Sequence, residues 1–313
     1  MKVVFVIPVY NDWKSLKVLS TQIKEISLKE KWREVELVIV NDASTQELDT
    51  LKDSFALKST ILNLISNQGN QKAITIGLSY IDEKINDFDY IIIMDADGED
   101  KPSDIINLIE AAKKNEEKKI VFVKRAKRNE GLIYILFYTI YKILFSIFTG
   151  QKINLGHFSC VPKNFIKKIL SISGIWTHYV AATIKSKLPF TTVVCDKGER
   201  ISGLTKQNKN MLILHGLASM SVYMEIIVLR LLLISLLAML LTAAGIATVF
   251  YIKIFTNISA LGWATNTSIG LIIIFIIFFL TSFFSLLTLL NKNLNPTLPS
   301  NTYKHFILNI IKL

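Results

Sequence analysis

Short apolar runs punctuate the first two hundred residues at near-regular intervals. Residues 3–7, 35–40, 61–65, 90–94 and 120–123 are rich in valine and isoleucine, and each run stops near polar or turn-forming residues. Between them lie longer stretches with helical spacing, around 16–26, 71–81 and 103–114. Strands that are apolar on both faces, separated by helices, predict a mostly parallel sheet covered on each side. The expected fold class is therefore α/β. In such sheets ligands bind beyond the carboxyl ends of the strands, so the residues found there carry the chemistry.

The pattern changes after residue 208. Residues 231–252 carry no charge and are bounded by Arg230 and Lys253, and a second uncharged run is densest at 269–290, before Lys292. A helix of 22 residues spans about 33 Å, enough to cross a hydrocarbon core of about 30 Å. Two transmembrane helices are expected at 226–252 and 269–290, joined by an external loop at 253–268 and followed by a tail at 291–313. Two further stretches read as interfacial. Residues 132–148 are rich in Ile, Leu, Phe and Tyr around Lys142, and 209–225 mix Met, Leu and Ile with His215 and Ser219. Helices of that composition with basic flanks lie in the headgroup layer. The organisation expected is an α/β domain at 1–208, an amphipathic juxtamembrane helix at 209–225, then hairpin and tail.

Composition fits this division. The 313 residues are 51% hydrophobic and only 19% charged, with a mean hydropathy of +0.41. A soluble domain carries about 25% charge, and the hairpin accounts for the difference. Disorder, collagen-like structure and a disulfide scaffold are excluded, the last by the presence of just two cysteines. A net charge of +11 admits nucleic acid or an anionic membrane surface. The basic residues gather on the hairpin's outer flanks (Lys197, Arg200, Lys206, Lys209 and Arg230 before it, Lys292, Lys304 and Lys312 after it) and no nucleic-acid recognition motif accompanies them. Positive-inside bias then places the N-terminal domain and the tail in the cytoplasm, at the cell's inner membrane. Residues 3–7 are too short for a signal peptide, and Cys160 and Cys195 are expected as free thiols in reducing cytosol.

The strand ends are acidic despite the positive total. Pro8-Val9-Tyr10-Asn11-Asp12 follows the first strand, Asn41-Asp42-Ala43-Ser44 the second, and Asp95-Ala96-Asp97-Gly98-Glu99-Asp100 the fourth. Asp42 and Ser44 suit a turn or helix cap as well as a site. Four carboxylates within six residues repel one another unless a cation neutralises them, and hard oxygen ligands suit Mg²⁺ or Mn²⁺.

These pieces, with Asn67-Gln68-Gly69-Asn70-Gln71-Lys72-Ala73, Gly156-His157-Phe158-Ser159 and Arg200-Ile201-Ser202-Gly203-Leu204-Thr205-Lys206, occur in an order that covers nearly the whole domain. The chain resembles the inverting glycosyltransferases of GT-A fold, family 2, that act on polyprenyl phosphates, such as dolichol-phosphate mannose synthase and bacterial undecaprenyl-phosphate sugar transferases. The resemblance implies a nucleotide-sugar donor held by Pro8, Tyr10, Asp12, Asp42 and Asp95. It implies a Mg²⁺ or Mn²⁺ ion on Asp95, Asp97 and Glu99, and lipid phosphate or diphosphate contacts from Arg125, Arg128, Arg200, Thr205 and Lys206. Asp97, Arg125, Arg200 and Lys206 are the catalytic candidates. His157 joins them with its role open, because many relatives carry an acidic residue there.

A phosphate acceptor, with a second pKa near 6, is already largely dianionic at pH 7, so no general base is expected. The partners implied are a nucleotide-sugar, a polyprenyl (undecaprenyl) phosphate and membrane lipids, with self-association through the hairpin as a further expectation and nucleic acid excluded. Two rivals stand beside this reading. One is transfer to a hydroxyl of a glycolipid or polysaccharide, although the QxxRW motif of processive synthases is absent. The other is a catalytically silent membrane scaffold of the same fold.

Overall fold

The computed structural model describes residues 1–46, 55–125, 132–151, 155–202, 209–256, 262–292 and 298–313. In chain order the elements are β1 Lys2–Val9, α1 Trp13–Lys29, β2 Glu34–Asn41, β3 Lys58–Leu64, α2 Asn70–Lys84, β4 Tyr90–Ile93, α3 Asp104–Lys114, β5 Ile120–Arg125 and α4 Leu132–Thr149. There follow β6 Ser159–Pro162, α5 Ile166–Leu170, α6 Tyr179–Lys185, β7 Phe190–Cys195, α7 Lys209–Ser221, α8 Met224–Phe255, α9 Trp263–Lys292, α10 Pro299–Thr302 and β8 Ile307–Lys312. The described strands form one sheet in the order β7-β5-β6-β4-β1-β2-β3-β8.

The α/β expectation holds, and the five strands read from the sequence are β1 to β5. At the centre of the sheet β1 pairs in parallel with β2 and β4. All eight of its residues are buried, so it shows no alternation of polar and apolar positions. Val3, Phe5, Ile7 and Val9 pack with Leu16, Leu19 and Ile23 of α1 and with Ile105 and Leu108 of α3. Residues on the other face of β1 meet α2, where Gly77 brings the helix onto Val6. Full burial of each such aliphatic side chain contributes about 1.5–3 kcal/mol before the ordering entropy is set against it. Cys160 and Cys195 are buried free thiols, as expected.

Three strands were not legible in the pattern. The four-residue β6 runs antiparallel between β4 and β5, and β7 lies parallel to β5 at one edge. β8 replaces part of the expected tail. It pairs antiparallel with β3, Thr60 opposite Lys312 through Leu64 opposite Ile307. The segment before it is clasped to α2: Tyr303 donates from Oη to Glu83 Oε2 at 2.7 Å, and Lys304 Nζ lies 2.7 Å from Glu83 Oε1. Phe306 meets the Trp176 ring at 5.4 Å between centroids. A six-residue strand on the far side of two long helices offers no local signal of its partner.

The chain divides into two compact units, one of residues 1–142, 152–222 and 297–313, the other of 143–151 and 223–296. The second is dominated by α8 and α9, both long and apolar enough to cross a membrane. Their 32 and 30 residues give about 48 and 45 Å of helix, longer than the spans expected from the charge-free runs. Ser235 and Ser282 hydrogen-bond through their hydroxyls between them, while Leu240, Leu241, Ile254 and Phe284 point outward and exposed. The juxtamembrane helix expected at 209–225 is shorter: α7 stops at Ser221, and Glu225 belongs to α8.

Candidate active site

Parallel register sets the strand ends level: Val9 of β1 lies opposite Asn41 of β2, and the Met94 amide following β4 donates to the Val6 carbonyl at 3.2 Å. The first and third acidic clusters are brought together by Arg200, whose Nη2 lies 3.0 Å from Asp97 Oδ2 and 4.0 Å from Asp12 Oδ2. Tyr10 stands exposed at this edge, whereas Pro8 is buried within β1. Asp42 is buried too. Its carboxylate accepts the backbone amides of Gln68 at 2.6 Å and Gly69 at 2.8 Å, so it fixes the turn that launches α2. Burial raises its carboxyl above the ordinary range, opposed in part by those two amides.

The acidic run is folded tightly on itself. Asp100 Oδ2 accepts the amide of Asp95 at 3.0 Å, and Asp97 Oδ1 accepts that of Glu99 at 2.9 Å. Gly98 sits at φ +89°, where a Cβ would fall 2.4 Å from Ile201 Cγ1. Opposite it, a Cβ on Gly198 would lie 2.5 Å from the Gly98 carbonyl oxygen. The two glycines let residues 198–202 lie across the run as a strap. Gly198 N–H donates to Glu99 O and Ile201 N–H to Asp97 O, both at 2.9 Å. The Ser202 and Ser15 hydroxyls, 2.8 Å apart, tie the strap to α1.

Protein cations answer much of the carboxylate repulsion. Arg125 pairs with buried Asp100 through Nη2, and its Nη1 donates to the Glu99 carbonyl at 3.1 Å. Lys197 Nζ sits 2.8 Å from Glu99 Oε2. Arg125, expected at a phosphate, thus braces the acidic loop. The expected metal set of Asp95, Asp97 and Glu99 is divided, because Asp97 and Glu99 turn toward Arg200 and Lys197. Among the described residues the ligand atoms that converge, within 4.8 Å of one another, belong to Asp95, Asp100 and His157.

His157 Nε2 is buried 3.0 Å from Asp95 Oδ1 without the alignment of a hydrogen bond. Asn70, at the start of α2, donates from Nδ2 to the same Oδ1 at 2.8 Å. Burial alone would raise the Asp95 carboxyl, but His157 and Asn70 reverse this and hold it below its usual range. Burial pushes Asp100 the other way, up to about 6, reinforced by the charge of Asp95. Two oxygens and an imidazole nitrogen so placed form a donor set that suits a small divalent cation.

A pair of imidazoles nearby escaped the sequence. His178 caps α6 by accepting the Ala181 amide on Nδ1 at 3.2 Å, and its ring centroid lies 4.7 Å from that of His215 on α7. Burial, with His215 beside it, pushes His178 down to about 3. His215 is also lowered by burial and by His157, while Asp95 acts in the opposite sense. Nothing in the spacing of 178 and 215 announces that they meet. Arg128, Thr205 and Lys206 lie outside the described residues.

Residues 4–170 match the model of Glycosyl transferase family 2. The chain belongs to that family. A glycosyltransferase of Bacillus subtilis, YkcC, described as uncharacterized, is 24% identical over 290 residues, covering 85% of this chain and 82% of its own. An undecaprenyl-phosphate 4-deoxy-4-formamido-L-arabinose transferase of Proteus mirabilis is 28% identical over 177 residues, 54% of this chain and 50% of its own. The match thus spans half the length of that relative. Among solved structures, glucosyl-3-phosphoglycerate synthase from Mycobacterium tuberculosis, in complex with Mn²⁺, UDP-glucose and phosphoglyceric acid, superposes with a TM-score of 0.53. Its identity is 11%, over 72% of this chain and 79% of that one. Mannosyl-3-phosphoglycerate synthase from Rubrobacter xylanophilus gives 0.51 at 15% identity, over 71% of this chain and 72% of that one. At these identities the likeness is one of fold, and the fold is GT-A.

Proposed function

We propose that this family 2 glycosyltransferase moves a sugar, with inversion, from a nucleoside-diphosphate sugar to a polyprenyl phosphate at the cytoplasmic face of a membrane. The observation that carries the reading is one arrangement: Asp12, Asp97 and Arg200 meet the Asp95–Asp100–His157 cluster at the carboxyl edge of the parallel sheet, in a chain with two helices long enough to span a bilayer. The undecaprenyl-phosphate sugar transferase of Proteus mirabilis supports the acceptor class. The Mn²⁺ and UDP-glucose in the Mycobacterium structure support the donor and metal classes.

Asp95, Asp100 and His157 are the residues whose chemistry fits a divalent cation, with Asp97 within the same loop. When bound, such an ion neutralises negative charge developing on the departing diphosphate. The chain's own part is orientation. Asp42 holds the turn before α2, Asn70 fixes Asp95, and the strap at 198–202 presents Arg200 over Asp97, where a guanidinium can meet phosphate oxygens two at a time. The acceptor's dianionic oxygen needs alignment with the anomeric carbon rather than deprotonation. A large loss in His157→Ala that recovers at raised pH would argue for a general base instead.

The direct test incubates membranes bearing the full chain with a panel of labelled UDP- and GDP-sugars and undecaprenyl phosphate, and reads the lipid fraction by mass spectrometry. A glycosyl-phosphoryl-lipid formed from one donor is the expected result. Label appearing only in a glycolipid or polymer hydroxyl product would replace the phosphate-acceptor reading with transfer to a hydroxyl. No transfer from any donor would favour a silent scaffold.

A further inference from the structure

β8 also begins a row of side-chain hydrogen bonds that crosses three strands. Asn63 of β3 donates from Nδ2 to Asn309 Oδ1 at 2.6 Å, and Asn41 of β2 donates from Nδ2 to Asn63 Oδ1 at 2.7 Å. The three amides can bond in line because sheet register sets Asn41 opposite Asn63 and Asn63 opposite Asn309. The row continues into the loops. Asn41 Oδ1 accepts the Ser44 amide at 3.0 Å, and Ser44 Oγ accepts the Asn11 amide at 2.9 Å. Asn11 then holds the Gln46 amide on Oδ1 and donates from Nδ2 to Thr45 Oγ1, both at 3.0 Å.

Asn41 and Asn63 each give one side-chain hydrogen and accept another, so the bonds from Ser44 to Asn309 run head to tail in a single direction. The loops they end in are conformationally demanding. Asn11 and Ala43 both sit at φ 56°, a left-handed conformation that alanine resists because its Cβ crowds the following carbonyl oxygen. Such backbone persists where its surroundings over-determine it. Here the Asn41 side chain spans the strained alanine by accepting the Ser44 amide, and Asn11 holds residues 44–46 just beyond it.

We infer that Asn309, Asn63 and Asn41 are positioning residues for the donor nucleotide, through which the strand that follows the two apolar helices sets the geometry of the loops at 10–12 and 42–46. The inference rests on the donor reading above. It assigns part of the pocket's shape to a residue 246 positions away from its bonding partner in the chain, on an element outside the family match.

The test uses the full chain in detergent. Asn309→Val removes the acceptor while keeping a residue that favours strands; Asn309→Asp keeps an acceptor oxygen. Three readouts are taken: amide exchange across 42–46, Kd for UDP and for GDP with Mn²⁺, and the split between KM and kcat for the active donor. Loss of a hydrogen bond of ordinary strength predicts that Asn309→Val raises Kd and KM about three- to tenfold. It should leave kcat within about twofold and quicken exchange at Ser44, while Asn309→Asp restores all three. Unchanged Kd and exchange in Asn309→Val overturn the inference, as does an aspartate variant that behaves like the valine one. A lowered melting temperature with unchanged Kd also overturns it, because the row then only stabilises the sheet. Quickened exchange in a protein whose wild type binds neither nucleotide removes the donor reading and this inference with it, whereas nucleotide binding indifferent to Asn309→Val removes the inference alone.

Discussion

At the scale of single residues, function and stability are carried by different neighbours within the same edge of the sheet. Asp97 faces Arg200 with one oxygen and holds the Glu99 amide with the other. Asp97→Asn keeps an acceptor for that amide and loses the charge. It is expected to cut transfer by about 100-fold or more, the scale of a lost electrostatic contact to the reacting groups, with an unchanged melting curve. Transfer at wild-type rate would remove Asp97 from the machinery. His178 shows the opposite weighting. Burial holds its imidazole at about 3, against 6.5 for the free side chain, so the fold binds it neutral. Its contribution is present above about pH 6.5 and is lost as pH falls toward 3. At pH 5 the unfolded chain gains a proton that the fold refuses, a loss of about 2 kcal/mol. The melting temperature of wild type should therefore fall more between pH 7.5 and 5 than that of His178→Asn, whose side chain can still cap α6. Equal pH dependence of the two would sink the assignment.

At the scale of elements, the strap at 198–202 is the most exacting local structure. Gly98→Ala places a Cβ against Ile201 in a left-handed turn, and about 1–3 kcal/mol of strain is the expected cost. Because the strap carries Arg200, the variant should lose activity more steeply than stability, measured by comparing transfer rate with thermal unfolding. This part of the site was half legible. The chemistry of 95–100 could be read from its composition, since each strand end is local and β1 to β4 run in parallel register. The partners could not. Lys197 answers Glu99 and Arg125 answers Asp100 across sequence gaps that no local period spans. A four-residue strand such as β6, which sets Phe158 beside Val123 and so places His157, is too short to announce itself. The two long helices were legible by location, because uninterrupted apolar sequence is a local property, and their true ends were not.

At the scale of the whole molecule, the donor set that the structure brings together, Asp95, Asp100 and His157, predicts a ligand-linked stability. Mn²⁺ at 100 times its Kd should stabilise the fold by about 2.7 kcal/mol, read as a raised melting temperature that Asp95→Asn abolishes. No shift in wild type would set the cluster aside as a metal centre. The larger correction to the sequence reading is the segment at 307–312, expected as a tail and found as a strand of the sheet. Its order in the chain has a consequence for biosynthesis. Until the ribosome has made α8 and α9 and moved on, the outer edge of β3 has no partner, and an open edge is a template for wrong pairing. The nascent domain therefore waits, one strand short, while its two greasiest helices emerge and find their surroundings. A cell that stalls that step is left with a domain whose exposed edge invites aggregation, so disposal of stalled chains should depend on proteases and chaperones that recognise unpaired strands.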